Sequence, residues 1–269
     1  MGERKYKMKR RDMLLTTAGS LAAAAAAYPA AGNGPRQYFE LRRYNLGTGE
    51  KRQRFLDFVR DSMVPALNRL GGKPVGAFTT LYGQNTPSYS LCLLLPFESL
   101  AAFAGTEASL LADKEFTSKA AAILDLPLSD PAFLRFESSL MLAFEGMPAL
   151  EVPGTVAGKA SRIFEMRIYE SHGHKAAKKK IEMFNQGGEI AIFRKTGLNP
   201  VFFAETLCGQ QMPNLTYMLC HETMAERDKG WAAFAVHPDW IALREDAQYK
   251  DTVSNITDII LRPLEFSQI

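Results

Sequence analysis

Two stretches of the chain alternate apolar and polar side chains in the same way. Residues 39–44 read Phe-Glu-Leu-Arg-Arg-Tyr, and residues 164–169 read Phe-Glu-Met-Arg-Ile-Tyr. Each has turn residues on one side and a helical pattern on the other, so each predicts a strand. Successive side chains of a strand point to opposite faces. Glu40, Arg42 and Tyr44 therefore share one face, as do Glu165, Arg167 and Tyr169. Phe39 and Leu41 take the other face with Arg43, and Phe164, Met166 and Ile168 repeat that stripe.

The pattern continues in register after each of these strands. In the first copy, Phe55, Phe58, Val59, Met63 and Ala66 recur at helical spacing, predicting a helix over 50–69 that Pro65 kinks or shortens and Gly71-Gly72 stops. Strands follow over 75–82 and 89–95, with a hairpin turn at 83–87. A helix over 97–112, its continuation over 113–124 and a last strand over 139–144 complete the copy. The second copy reads as a strand over 164–169, one helix over 174–193, strands over 201–208 and 215–221, a helix over 225–234 and a strand over 255–261. Gly83-Gln84 recurs as Gly209-Gln210, Pro87 as Pro213, and Asp113-Lys-Glu-Phe116 as His237-Pro-Asp-Trp240. Turn residues recurring with the strands signal duplication.

The order βαββαβ, written twice, predicts an α+β chain of two ferredoxin-like units. Their bounds read as 37–145 and 162–269, with the Pro- and Gly-bearing stretch 146–161 as a linker. One unit covers a single face of its sheet with helices, so the two bare faces are expected to pack together as a barrel within one chain. On that reading the apolar side of each first strand meets the helices. Glu40, Arg42, Tyr44 and their repeats then look inward, between the sheets.

At these residues the chain resembles the NIPSNAP family in tandem form, within the dimeric α+β barrel superfamily. The resemblance rests on Glu-x-Arg-x-Tyr at 40–44 and 165–169, Gly71-Gly72 leading to Val75-Gly76, and Phe97-Glu98-Ser99-Leu100. His237-Pro-Asp-Trp240 and the closing Leu261-Arg-Pro-Leu-Glu-Phe-Ser267 add to it. It covers about residues 37–269. It implies an intrachain barrel, a monomer or a higher homo-oligomer of it, and the cofactor-independent oxygenase or isomerase chemistry the superfamily supports. Related barrels hold haem, which makes a haem protein the weaker alternative; otherwise no cofactor or metal is expected.

Charge changes the picture at one end only. The formal net charge is +3, but residues 1–34 carry six basic side chains against Glu3 and Asp12, so the rest of the chain is close to neutral. That argues against nucleic acid or an anionic membrane as the partner. Arg10-Arg11, the alanine-rich run over 18–27 and the small residues at 30–32 predict a cleavable twin-arginine-type export signal, hence a periplasmic protein. The run is too short for a stable membrane span. Of three cysteines, Cys92 and Cys220 read as buried small hydrophobes. A Cys208–Cys220 disulfide across the hairpin is the alternative for an oxidising compartment.

The two Glu-x-Arg-x-Tyr sets are the first candidates for chemistry. Between two sheets such charges need partners or a polar ligand. The functional reading is a lumen that binds a polar or anionic small molecule through Arg42 and Arg167. Glu40 or Glu165 serves as general base and Tyr44 or Tyr169 as proton donor. The competing reading is a structural ion pair that sets the register of the sheets. His221, at a strand end beside Glu222, reads as a catalytic base, a haem ligand or a side chain with a local partner. His172-Gly-His174 followed by Glu182 has metal-type spacing but matches nothing in the first copy. Lys178, Lys179 and Lys180 read as a solvated face. The chain has no Gly-rich phosphate loop and no Gly-x-Ser-x-Gly elbow. A non-catalytic interaction or scaffold role through the outer helices therefore stays open.

Overall fold

The computed structural model describes residues 35–84, 91–154 and 158–269. The candidate export signal and part of the first hairpin turn lie outside them. The first repeat comprises β1 (Tyr38–Asn45), α1 (Glu50–Phe58), α2 (Val64–Arg69), β2 (Gly76–Gln84), β3 (Leu91–Phe97), α3 (Leu100–Ala112), α4 (Lys114–Leu124) and β4 (Arg135–Ala143). The second comprises β5 (Ile163–Glu170), α5 (His174–Asn185), α6 (Glu189–Lys195), β6 (Asn199–Cys208), β7 (Asn214–His221), α7 (Met224–Val236), α8 (Pro238–Glu245) and β8 (Asn255–Pro263).

Local chemistry sets the helix boundaries. A π-helical turn, Val59–Met63, joins α1 to α2 just before Pro65. Proline lacks an amide hydrogen and crowds the carbonyl four residues back. The widened turn accommodates it, so the helix continues to Arg69 instead of ending early. The single helix expected over 174–193 is two helices. A side chain at Gly187 would lie 2.5 Å from the Met183 carbonyl oxygen, and Gly188 is left-handed at φ +83°. Both demands favour glycine and break the helix there. Asp113 and His237 cap α4 and α8 by accepting from Phe116 N and Asp239 N, so the recurring motif is a pair of helix starts.

The eight strands close into one antiparallel barrel in the order β1-β3-β2-β8-β5-β7-β6-β4. The repeats join edge to edge twice, β2 on β8 and β4 on β6, so no sheet edge is left bare. A register shift marks each joint, between Thr80 and Tyr82 and between Leu140 and Met141. Such bulges add the local bend that closure needs. Residues 148–151 of the expected linker run against the barrel. Gln37 N donates to Pro148 O, Leu150 N to Gln37 Oε1 and Glu151 N to Val201 O, all within 2.9 Å.

The barrel interior corrects the expectation about faces. Phe39, Leu41, Phe78, Cys92, Leu94, Met141, Phe164, Met166, Phe202, Met218, Cys220, Ile259 and Leu261 fill it as one cluster. Phe39 meets Phe202 and Phe78 meets Phe164 across the interior, with ring centroids 5.1 and 4.8 Å apart. The apolar stripes of β1 and β5 look inward, and the Glu-Arg-Tyr faces look outward to the helices. Arg43 shares the inward face at one barrel end, where its Nε lies 3.6 Å from Glu137 Oε2. Ser139, Thr206, Asn214 and Thr216 line the same end around about 10 Å³ of space, room for roughly one water. No ligand fits there. All three cysteines are free, which removes the Cys208–Cys220 pairing; Cys92 and Cys220 are buried in the interior cluster and Cys208 is exposed. Among the described residues no helix is long and apolar enough to cross a membrane.

Candidate functional site

Alternation along β1 and β5 delivers both polar triads to the layer between barrel and helices, where the two repeats use them differently. In the second repeat Glu165 is fully buried and surrounded by donors. Arg167 Nε and Arg227 Nη2 reach its Oε1 at 2.8 Å each, and Arg227 Nε and Trp231 Nε1 reach its Oε2 at 2.9 and 2.8 Å. His221 Nε2 lies 3.3 Å from the same Oε2. Asp258 Oδ2 accepts from Arg167 Nη2 at 3.2 Å and Arg227 Nη2 at 3.1 Å. The Trp231 ring covers Arg167 at 4.2 Å. Tyr169 and Tyr217 share a 2.9 Å hydrogen bond.

Burial pushes the Glu165 carboxyl up, but the contacts from His221, Arg167, Arg227 and Trp231 outweigh it and hold the group at about 2. Both oxygens of Glu165 are taken by Arg167, Arg227 and Trp231, and the group is fully buried, which leaves it no open face toward a substrate. His221, 2% exposed and set against Glu165, is closed to a haem iron as the chain stands. The residues do not fit that group. Arg167, Tyr169 and His221 join Glu165 in one cluster, and its remaining members come from α7, β7 and β8. This cluster has the form of a structural clamp tying β5 to those elements.

In the first repeat the clamp is reduced. Glu40 is buried, accepting from Ser138 Oγ at 2.7 Å and pairing with Arg42 Nε at 2.9 Å. Arg42 Nη1 lies 3.2 Å from Glu107 on α3. Aligning the helix caps Ser99 and Thr223 matches Glu107 with Trp231 and Phe103 with Arg227. Strand register matches Phe97 with His221 and Leu93 with Tyr217. Arg227, Trp231 and His221, which contact Glu165 or Arg167 in the second repeat, are thus exchanged in the first.

Beside Arg42, where Glu107 stands in place of Trp231, a chamber of about 510 Å³ lies between β1, β4, α1, α3, α4 and the loop after α4. Tyr44, Phe55, Phe58, Phe116, Phe133 and Phe136 line it, and Arg42 is its buried cation. Arg42 sits 5.8 Å from the Phe136 ring centre. Leu111, Leu128, Phe133 and Phe136 are exposed at its border. Burial alone works against the Arg42 charge, but Tyr44, Glu40 and Glu107 more than offset it and its pKa is raised. Burial also raises Tyr44, so its phenol stays neutral. Of the sequence-derived candidates, Arg42 and Tyr44 face the chamber; Glu40 lies behind Arg42 and does not line it.

Sequence reasoning missed Glu107, Tyr217, Arg227, Trp231 and Asp258. Asp258 had a signal, a charge inside the apolar strand Ile256-Thr-Asp-Ile259; Arg227 and Trp231 had one too, four apart on a single helix face. Lys180 also departs from the solvated face assigned to it. It is buried, with Nζ 2.8 Å from Glu189 and 4.7 Å from the Phe184 ring centre. Lys178 and Lys179 pair with Glu205 and Glu182 at the surface. His172 and His174 are exposed, and among the described residues no three His, Cys, Asp or Glu side chains converge as a metal site.

Comparison with known proteins gives the same fold. A candidate monooxygenase of Lactobacillus acidophilus superposes with a TM-score of 0.56 over 85% of this chain and 94% of its own, at 9% identity. A second, from Fusobacterium nucleatum, gives 0.53 over 87% and 94%, at 8% identity. A NIPSNAP-like domain protein of Burkholderia xenovorans covers 40% of this chain and 90% of its own, at 23% identity and a TM-score of 0.36. Among curated proteins none matches the chain. The NIPSNAP family model matches twice, over residues 39–128 and 164–268, once in each repeat. The chain therefore belongs to the NIPSNAP family, with two copies of the domain closed into one barrel.

Proposed function

We propose that this chain binds a small molecule in the chamber of its first repeat, with a ring-containing apolar body among the aromatic side chains and one acidic group against Arg42. A single observation carries the reading: about 510 Å³ of aromatic-lined space with a buried guanidinium at its wall. Sites for drug-sized ligands span about 300–1,000 Å³ and are mostly apolar with a few placed polar groups. The lumen expected from sequence is filled, so the binding reading moves outward to the face where Arg42 stands.

The test uses two fluorescent probes with one body. 1-Anilinonaphthalene-8-sulfonate carries a charge that N-phenyl-1-naphthylamine lacks. The native chain is expected to bind both, the sulfonate more tightly. Ala132→Trp, which fills the chamber, removes both signals. The double variant Glu40→Gln/Arg42→Met removes the cation without stranding its carboxylate and weakens the sulfonate by about tenfold, the size of one charge-assisted hydrogen bond. Probe binding unchanged by Ala132→Trp contradicts the proposal.

Cofactor-independent oxygenase or isomerase chemistry in the same chamber is a second reading, favoured by Tyr44. A neutral phenol beside a guanidinium offers a proton donor next to a group that stabilises developing negative charge. Tyr44→Phe separates the two readings: binding persists and turnover is lost. Export belongs to the proposal as well. Arg10-Arg11 and the alanine-rich run support transport of the folded chain to the periplasm, and fractionation after Arg10→Lys/Arg11→Lys tests it.

A further inference from the structure

We propose that Glu107 occupies, on Arg42, the place that a ligand's acidic group takes, and so sets the selectivity of the chamber for acids; this rests on the binding reading above. Three observations converge on it. Arg42 has two carboxylate partners of opposite character: Glu40 is buried with it, while the Glu107 side chain is 68% exposed. Both Arg42 and Glu107 line the chamber, and Glu40 does not. In the second repeat the matching position is Trp231, which covers Arg167 at 4.2 Å and donates to Glu165, so the helix there brings that cation a ring in place of a carboxylate.

The physical consequence is an exchange at one guanidinium. Arg42 Nε holds Glu40 and keeps the buried pair neutral, so that side chain need not move. Nη1 faces Glu107 at 3.2 Å across the chamber wall. Only the Glu107 end of this pair is exposed, so water solvates that carboxylate once it swings away, while the buried Arg42 Nη1 is left to be matched by another anion. An incoming carboxylate or sulfonate replaces it at Nη1 with the same charge count, and its apolar body contributes burial that Glu107 does not. A neutral ligand gains nothing from the exchange. An amine meets Arg42 and is disfavoured.

Glu107→Gln tests this, since the position is exposed and the change keeps shape. Removing the competing charge is expected to tighten anilinonaphthalene sulfonate by about two- to fivefold, the size of an ion pair with one solvated partner. N-Phenyl-1-naphthylamine affinity stays as it was. Glu107→Lys, adding a cation at the wall, raises the preference for the sulfonate further. Both probes binding with an unchanged ratio in Glu107→Gln overturns the role of Glu107 and leaves the chamber reading standing. Neither probe binding to the native chain overturns both.

Discussion

Trp231 Nε1 donates a 2.8 Å hydrogen bond to Glu165 Oε2, joining α7 to the centre of β5. With Arg167, Arg227 and His221 it surrounds a carboxylate that has no contact with solvent. Breaking a buried charge cluster by removing one member costs about 3–5 kcal/mol, because the remaining charges lose their compensation. Glu165→Gln is expected to lower stability by about that amount at pH 7, measured by denaturant unfolding. Glu40→Gln, in the reduced clamp, costs less.

The same carboxylate gives a pH dependence with a defined sign. Its folded-state pKa lies at about 2, below the ordinary 4.5. The stabilisation is therefore complete above about 4.5 and fades as pH falls toward 2. At about 1.4 kcal/mol per pH unit this amounts to roughly 3 kcal/mol. Asp258 is shifted upward, by burial first and then by Glu165, and so works in the opposite direction. Unfolding measured between pH 5 and pH 2 is expected to show a steep loss in the native chain and a flatter one in Glu165→Gln.

Much of this arrangement was legible in the sequence, and the part that was not has a physical cause. Alternation alone put Glu40, Arg42 and Tyr44 on one face and Phe39 and Leu41 on the other, and the repeated turns gave the duplication. Alternation does not say which face is the lumen. A closed eight-stranded barrel has room for side chains and little else, and the Phe39–Phe202 and Phe78–Phe164 contacts use that room. The triad charges find their partners on other elements, with Glu107 on α3, Arg227 and Trp231 on α7 and Asp258 on β8, all remote in sequence. The chamber was invisible for the same reason, its wall being assembled from two strands, three helices and a loop.

Lys180 and Glu189 form a buried pair under Phe184 and Tyr169. Burial raises the Glu189 carboxyl, which Lys180 counters. Lys180→Met strands that carboxylate and is expected to cost about 3–5 kcal/mol, while Lys180→Met/Glu189→Leu recovers most of the loss. Thermal denaturation of the two variants distinguishes a pair kept for stability from one that apolar packing replaces.

Cysteine reactivity checks the barrel interior without mutation. Burial pushes the thiols of Cys92 and Cys220 up to about 12, whereas Cys208 is exposed. Iodoacetamide on the folded protein is expected to label Cys208 alone, with Cys92 and Cys220 following only after unfolding. Rapid labelling of all three means the interior is open.

The duplicated polar faces turn away from the lumen, and one of them borders the chamber proposed to take a ligand. A crystal structure of the chain grown with anilinonaphthalene sulfonate tests it directly. Density for the naphthalene is expected among Phe55, Phe116 and Phe136, with the sulfonate at Arg42 and Glu107 displaced. Density inside the barrel beside Phe39 and Phe202, or Glu40 and Glu165 facing that interior, contradicts it.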